Sequence, residues 1–233
     1  MNNFIFLIFI LQICVFIKLI INLLKRKDEY ASDTTIPLRE KLILSTSCIV
    51  CAIIVYTNNT TYYSIFVLTG MIISFFGDLA MAGVLSFSNR LIGGMTLFGL
   101  AHICYFVGFI FTIIFMGKFK IGISILNLFI LIIFICICNK FIRNKFNGDI
   151  DTFNIGVVYS TLILNMAINA LWLAFASQGK FIITFIGASL FIISDGIIAF
   201  MESQLFQIKH SGLVIWITYI AAQMCIIISP IIK

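Results

Sequence analysis

Charged residues and proline are both scarce in this chain, and each scarcity excludes a class of structure. Asp, Glu, Lys and Arg make up 10% of the 233 residues, whereas a soluble domain carries about 25%. Hydrophobic residues make up 62%, and the mean hydropathy is +1.17. The two prolines, Pro37 and Pro230, lie near the ends of apolar runs and interrupt none of them. We therefore expect an integral membrane protein with unbroken helices.

Sequence patterns that bind metals or nucleic acids are also missing. The chain has two histidines and no His-Glu-x-x-His sequence. Cys48-x-x-Cys51 has no second Cys-x-x-Cys pair and no histidine nearby. All seven cysteines lie within apolar runs, where a free thiol behaves as a small hydrophobic group. The net charge of +6 comes from basic residues in short loops. We predict no metal, no cofactor and no nucleic-acid partner.

The chain does contain a series of apolar runs of about 20 residues, the length that a helix needs to cross a hydrocarbon core of ~30 Å. The runs do not alternate polar with apolar residues, as barrel strands would. The predicted fold is an all-α membrane protein forming one polytopic domain, 1–233, which possesses no linker long enough for a second domain. The eight predicted transmembrane helices are 4–24, 37–56, 62–83, 91–116, 120–138, 153–176, 181–201 and 212–232.

The distribution of basic residues predicts the orientation of these helices. Most of the 15 Lys and Arg residues lie in the first, third, fifth and seventh loops, and only Lys118, Lys120, Lys180 and Lys233 lie on the other side. The side rich in basic residues is expected to face the cytosol. The protein is therefore predicted to be a multi-pass protein of the endoplasmic reticulum or the plasma membrane, between which the sequence does not decide.

Two aspartates lie inside predicted helices, Asp78 in the third and Asp195 in the seventh. A carboxylate in hydrocarbon costs about 2.5–3.5 kcal/mol on insertion scales, so it is rarely kept there without a function. Both helices run towards the cytosolic side. A rise of about 1.5 Å per residue then places both acids roughly 7–9 Å from that boundary. Their matching depth predicts that they form one site.

Other polar side chains are expected in the same half of the membrane. His102 and Tyr105 are spaced i,i+3, and Tyr219 and Gln223 are spaced i,i+4, so each pair shares a helix face. Taken singly, such residues also have structural interpretations, such as packing for His102 or interhelical hydrogen bonding for an asparagine. The outer half is almost purely apolar, which predicts a pocket open to the cytosolic side rather than a pore. The polar residues at roughly 9–21 Å depth are His102, Tyr105, Tyr159, Asn165, Tyr219 and Gln223.

The spacing of the two acids suggests an internal duplication. Asp78 and Asp195 are separated by the same number of residues as His102 and Tyr219. Each acid is therefore followed at the same distance along the chain by a polar aromatic residue. Helices three and four would then correspond to helices seven and eight. This pattern indicates two four-helix repeats in parallel orientation.

The motifs around these residues resemble those of the YhhN-type lysoplasmalogenase family. The first motif is Gly77-Asp78 followed by Gly94-x-x-x-Phe98-x-x-x-His102-x-x-Tyr105. The second motif is Gly187-Ala188-x-x-Phe191-x-x-Ser194-Asp195-x-x-x-Ala199, followed by Tyr219 and Ala222-Gln223. Tyr159 also matches a tyrosine of the family. The resemblance covers helices three to eight. The Lys-Pro pair that often opens helix two in that family is Ile36-Pro37 here, which leaves a head-group role for that helix open.

The resemblance implies eight helices and hydrolysis of the vinyl-ether bond of lysoplasmalogens. The products would be a fatty aldehyde and a glycerophospho-base, either ethanolamine or choline. The paired acids of the family correspond to Asp78 and Asp195 in this chain. The resemblance also implies a lysophospholipid substrate taken from membrane lipid, and it leaves a homodimer open.

The chemistry of a vinyl ether suits two carboxyl groups. Protonation of carbon gives an oxocarbenium ion that water then attacks, and glycoside hydrolysis divides the acid and base roles between two carboxyls in the same way. One Asp would act as the acid, and the other would stay ionised and activate water. The sequence does not decide which acid has which role. A hydroxyl donor favours the charged form of a carboxyl, and Ser194 adjoins Asp195, which slightly favours Asp195 as the base. His102 and Tyr159 would orient groups or relay protons.

The remaining polar residues are predicted to bind substrate. Arg90, with Lys209 or Arg39, would hold the phosphate at the cytosolic rim. The hydrocarbon chain would lie along the apolar outer half of the helices. The residues expected to contact water or the glycerol group are Tyr105, Asn165, Tyr219 and Gln223.

Two other functions share parts of this pattern. Paired acids and helix repeats also occur in proton-coupled transporters. However, the polar set stops short of the outer face, and no proline breaks the third or the seventh helix. A scaffold that has lost turnover is the second alternative, and the retained Asp, His and Tyr residues argue against it.

Overall fold

The computed structural model describes residues 2–24, 36–146, 149–202 and 210–232. Within these ranges the chain is helical, without strands. Short turns of other helix types follow two of the α-helices, at Cys138–Ile142, Arg143–Lys145 and Ser229–Ile231. The described α-helices are α1 (Asn2–Leu24), α2 (Leu38–Asn58), α3 (Tyr62–Met81), α4 (Arg90–Phe115), α5 (Ile121–Ile137), α6 (Ile150–Ala176), α7 (Ile182–Glu202) and α8 (Ser211–Ile228).

The eight predicted helices are therefore confirmed, with each end within a few residues of its predicted position. Seven of the described helices are long and apolar enough to cross a membrane. The one outside that set is α2, whose first turn carries Arg39, Glu40 and Lys41. These charges lie at the end of the bundle where the most basic loops are found.

Local sequence signals set the starts of two helices at that end. Asn89 precedes α4, and its side-chain oxygen accepts hydrogen bonds from the backbone N–H groups of Leu91 and Ile92. Asp149 precedes α6 and accepts hydrogen bonds from the backbone N–H and the hydroxyl of Thr152, which hold the pKa of its carboxyl below the ordinary value. Such caps satisfy N–H groups that have no partner within the helix.

Six helices pack into a closed ring. Following the ring, α2 packs against α3, α3 against α4, α4 against α6, α6 against α7, α7 against α8, and α8 against α2. The centre of the ring is filled by large side chains that are fully buried, among them Tyr105, Phe109, Met166 and Phe191. The remaining helices lie outside the ring, α1 against α2 and α8, and α5 against α6.

Polar contacts attach the two outer helices to the ring. On α1, Gln12 donates a hydrogen bond to the Ser47 hydroxyl at 2.8 Å, and Lys18 pairs with Glu40 at 2.5 Å. On α5, the side-chain amide of Asn127 donates to the Asn165 side-chain oxygen at 2.8 Å. An interhelical polar contact of this kind fixes the position of a helix whose other side chains mostly face outward.

The packing order is the same in both halves of the chain. The contacts of α2 with α3, and of α3 with α4, recur as those of α6 with α7, and of α7 with α8. The outer helices α1 and α5 also lie at equivalent positions, on α2 and on α6. A parallel four-helix repeat would give this order, and the duplication itself stays a prediction.

Candidate functional site

A cavity of about 520 Å³ lies at the basic end of the ring, and both aspartates line it. Asp78 comes from the last turn of α3, and Asp195 from the second half of α7. Tyr159 on α6 and Tyr219 on α8 line the same cavity. Four helices that are separated along the chain thus bring the two acids and two tyrosines to one space.

Asp78 is buried, with 6% of its surface exposed, and hydroxyl groups contact its carboxylate. Its Oδ2 accepts a hydrogen bond from Ser45 Oγ on α2 at 2.5 Å and another from the Tyr219 hydroxyl at 3.0 Å. The ring of Tyr219 packs against Trp216 and Phe191, with centroid distances of 5.5 and 5.6 Å. Asp78 therefore has at least two hydroxyl donors, one from each half of the chain.

Asp195 lies in different surroundings. Its Oδ2 accepts a hydrogen bond from the Tyr159 hydroxyl at 2.8 Å, and His102 Nε2 lies 4.0 Å from the same oxygen. The His102 ring is fully buried, its Nδ1 lies 3.3 Å from the Met166 sulfur, and its Nε2 has no hydrogen-bond partner among the described residues. Asp195 is thus bonded to one hydroxyl and faces an imidazole slightly beyond hydrogen-bond distance.

The two acids belong to one aromatic cluster. The ring of Phe191 lies between the two groups, with its centroid 5.1 Å from that of His102 and 5.6 Å from that of Tyr219. Asp78, from the first half of the chain, is bonded to Tyr219 from the second half, and Asp195 from the second half faces His102 from the first. This cross-pairing joins the halves at the site.

Basic and polar side chains form the rim of the cavity. Arg90 begins α4 and lies over Gly83, which follows α3 with a φ of +73°. A Cβ added at Gly83 would lie 2.5 Å from Arg90 Cζ, and the left-handed backbone favours glycine at this position. Ser88 and Asn89 line the same side of the cavity. The rim therefore presents a cation and several hydrogen-bonding groups, as a phosphate site would.

Lys41 also lines the cavity, although it was not among the predicted site residues. The structure starts α2 at Leu38, so Lys41 lies in the first helical turn with 7% of its surface exposed. Its Nζ lies 5.6 Å from the centroid of the Trp216 ring. Helix two thus does reach the candidate site, through Lys41 and Ser45. Their i,i+4 spacing was a signal in the sequence that both residues share one inward face.

Several predicted site residues lie elsewhere. Tyr105 shares a hydrogen bond with Ser74 at 3.1 Å, and Asn165 accepts hydrogen bonds from the side-chain amides of Asn127 and Asn169. Tyr105, Asn165 and the buried Gln223 are absent from the described residues that line the cavity. Arg39 is exposed and is likewise absent there, and Lys209 lies outside the described residues. Direct substrate contact by these five residues stays a prediction.

The hydroxyl of Ser194 does not donate the expected hydrogen bond to Asp195. Ser194 Oγ donates a hydrogen bond to the backbone carbonyl oxygen of Ile215 on α8 at 3.3 Å. Successive side chains on a helix point about 100° apart, so Ser194 and Asp195 face different directions. The reason for choosing Asp195 as the base is therefore wrong.

A second cavity of about 430 Å³ adjoins the first, and mostly apolar side chains line it. It extends between α4, α6 and α7, with Phe134 of α5 at its side. Asp195, Tyr159 and Phe98 line both cavities. Asp195 therefore lies where a polar space meets an apolar one.

Comparison with known proteins gave one match. The model of a family described as the YhhN family matches residues 41–229, which is most of the chain. No curated protein and no solved structure matches. The matched range includes both aspartates, their hydroxyl donors, Lys41 and Arg90.

Proposed function

We propose that this chain, which belongs to the YhhN family, hydrolyses the vinyl-ether bond of lysoplasmalogens. Its substrates would be alkenyl-glycerophosphoethanolamine and alkenyl-glycerophosphocholine, and its products a fatty aldehyde and the glycerophospho-base. One observation carries the proposal: two aspartates, each accepting a hydrogen bond from a tyrosine hydroxyl, line one cavity of a membrane-embedded helix ring.

The hydrogen bonds suggest which carboxyl acts as the general acid and which as the general base. An ionised carboxylate only accepts hydrogen bonds, whereas a protonated one can donate. Asp78 accepts from Ser45 and Tyr219, which suits an ionised group. Asp195 accepts a hydrogen bond from Tyr159 and borders the apolar cavity, which suits a protonated acid beside the hydrocarbon chain. In our proposal Asp195 is the acid and Asp78 the base, the reverse of the expectation from Ser194.

The reaction then balances over three steps. Asp195 donates its proton to the vinyl carbon, and the resulting oxocarbenium ion lies near the ionised Asp78. Water attacks this cation and gives its proton to Asp78, which produces a hemiacetal. As the hemiacetal breaks its C–O bond, its hydroxyl proton returns to Asp195, and the departing glycerol oxygen takes the proton from Asp78. Both acids regain their starting state, as general acid–base catalysis requires.

The rim of the cavity would hold the head group. Arg90 can donate two parallel hydrogen bonds to phosphate oxygens, and Lys41, which lines the same cavity, adds a second positive charge. His102 touches neither cavity, and its fully buried ring lies behind Asp195. We assign it a positioning role: it would keep the Asp195 carboxyl directed at the junction of the two cavities.

The test is aldehyde release from purified protein in lipid nanodiscs. The panel contains alkenyl- and acyl-lysophospholipids with ethanolamine or choline head groups. Asp78→Asn and Asp195→Asn should each lower turnover of the alkenyl compounds by about 10²–10⁴-fold, the usual contribution of a general acid or base. Asp149→Asn makes the same change outside the cavity and keeps a residue that caps helices well, so its activity should equal that of the wild type.

Other results would point elsewhere. Full activity in either cavity variant would remove the two-acid mechanism. Turnover of acyl compounds alone would indicate ester chemistry instead. Uptake of an unmodified solute into proteoliposomes, without any aldehyde, would favour the transporter alternative.

A further inference from the structure

We propose that the apolar cavity between α4, α6 and α7 binds the hydrocarbon chain of the substrate, and that Gly156 sets the room available to that chain. This inference rests on the proposed function, because it concerns the second part of the same lipid. It also revises the expectation that the chain lies along the outer half of the helices, since this cavity lies level with Asp195.

The first support is continuity between the two cavities. In a lysoplasmalogen the vinyl ether joins the polar glycerol to the first two carbons of the hydrocarbon chain. The shared wall of the two cavities is likewise the junction between a polar space and an apolar one. A head group in the polar cavity and a chain in the apolar cavity would therefore bring the vinyl carbons to Asp195. The residues that line both cavities are Met81, Leu91, Phe98, Tyr159, Asp195 and Ile198.

The second support is the chemistry of the remaining wall. Away from the junction the cavity is lined mainly by apolar side chains, including Met95, Phe134, Ile163 and Ile192. At one side it reaches Phe200, of which 47% is exposed, so the cavity is accessible from the outer surface of the ring. Apolar walls stabilise a hydrocarbon chain and offer a head group few hydrogen bonds.

The third support is a pair of glycines with open space beside them. A Cβ added at Gly156 on α6 or at Gly196 on α7 would meet no atom within 4 Å, and both residues line the apolar cavity. By contrast, a Cβ at Gly77 or Gly94 would lie under 3 Å from a neighbouring side chain. A Cβ at position 156 would therefore enter open space beside the cavity lining, and we expect a larger side chain there to reduce the room for a hydrocarbon chain.

The open space beside Gly156 allows a direct experiment. We would compare Gly156→Leu with wild type on lysoplasmalogens bearing a short octenyl or a long hexadecenyl chain. The ratio of kcat/KM between variant and wild type cancels differences in how the substrates partition into membrane. We expect this ratio to fall about tenfold or more for the long chain, as for a side chain that obstructs an apolar pocket, and to change less than about twofold for the short one.

Gly122→Leu is the matched control. Gly122 lies on α5, a Cβ there also meets no atom within 4 Å, and the residue is absent from the described linings of both cavities. This variant should keep the wild-type ratio for both chains. Equal loss for both chain lengths in Gly156→Leu, or no loss for either, would overturn the chain assignment.

A binding measurement separates this inference from the catalytic proposal. A lysophosphatidylethanolamine with a diazirine near the end of its chain is photolysed in nanodiscs, and labelled peptides are identified by mass spectrometry. We expect label at Met95 and Phe134 that excess unlabelled lysolipid displaces and that Gly156→Leu weakens. Label confined to outward-facing residues, such as Phe4 and Phe6, would refute the chain site. If the wild type releases no aldehyde but this label appears, the proposed reaction fails and the chain site stands.

Discussion

Replacing Tyr219 with Phe would remove one hydroxyl from the candidate site and leave the aromatic ring in place. The lost group is the donor of the 3.0 Å hydrogen bond to Asp78 Oδ2. The ring contacts with Phe191 and Trp216 do not involve the hydroxyl, so the packing of α8 should survive. The variant therefore tests the hydrogen bond to Asp78 alone.

The size of the effect follows from the proposed charge of Asp78. A hydrogen bond to a charged group contributes about 1.5–3 kcal/mol. If turnover needs an ionised Asp78, losing this bond should lower kcat/KM by about 10- to 150-fold. The bond from Ser45 remains, so activity should not vanish. Ser45→Ala should have a similar effect. The effects of the two single variants should not be additive in the double variant, because both donors bind one oxygen.

Tyr63→Phe is the control for Tyr219→Phe. Tyr63 is also buried, and its hydroxyl donates to the Ile226 carbonyl oxygen at 2.7 Å and contacts Thr184 Oγ1 at 2.8 Å. It belongs to the first turn of α3, at the other end of that helix from Asp78. Removing its hydroxyl should lower the melting temperature in detergent and leave kcat/KM unchanged. If both variants lose activity in proportion to stability, the catalytic role of the Tyr219 hydroxyl is refuted.

Two further predictions concern the rim and the outer helix. Lys41→Met should raise KM by about tenfold for lysoplasmalogens, because one charge-assisted contact with phosphate is lost, and should leave an alkenyl glycerol without phosphate unaffected. Equal effects on both substrates, measured by initial rates, would refute the phosphate contact. Asn165→Leu should lower the free energy of unfolding by about 1–3 kcal/mol, because Asn127 and Asn169 lose their shared acceptor, with turnover of the remaining folded protein unchanged. A specific loss of turnover at wild-type stability would instead restore Asn165 to the substrate site.

The sequence predicted the helices well because hydropathy alone governs them. Runs of about 20 apolar residues form helices in a membrane, since every backbone polar group must be paired within the segment. The family resemblance read from the motifs is confirmed by the match over residues 41–229. The structure places Asp78 and Asp195 in one cavity, as their matching predicted depth suggested.

Direction around each helix was harder to predict than depth. Asn165 and Gln223 have suitable depth, yet their side chains do not reach the cavity, because the packing order of the ring decides which face of α6 and α8 turns inward. Lys41 lies within the predicted second helix and was still missed, because a lysine in a first helical turn is usually exposed, whereas this one is buried beside a polar cavity. Hydropathy measures how apolar a segment is, and it contains no information about which neighbour a given side chain meets.

The cross-pairing of the acids bears on how a site of this kind could have originated. If the two halves descend from one gene, a primordial single copy would have needed a second, identical molecule to assemble the pair. Symmetry would then have forced both carboxyls into the same environment. Fusion lifts that constraint, so that mutations can give one acid two hydroxyl donors and the other an imidazole neighbour. Inequality between the acids, which two-carboxyl hydrolysis demands, would thus be a benefit of covalent linkage.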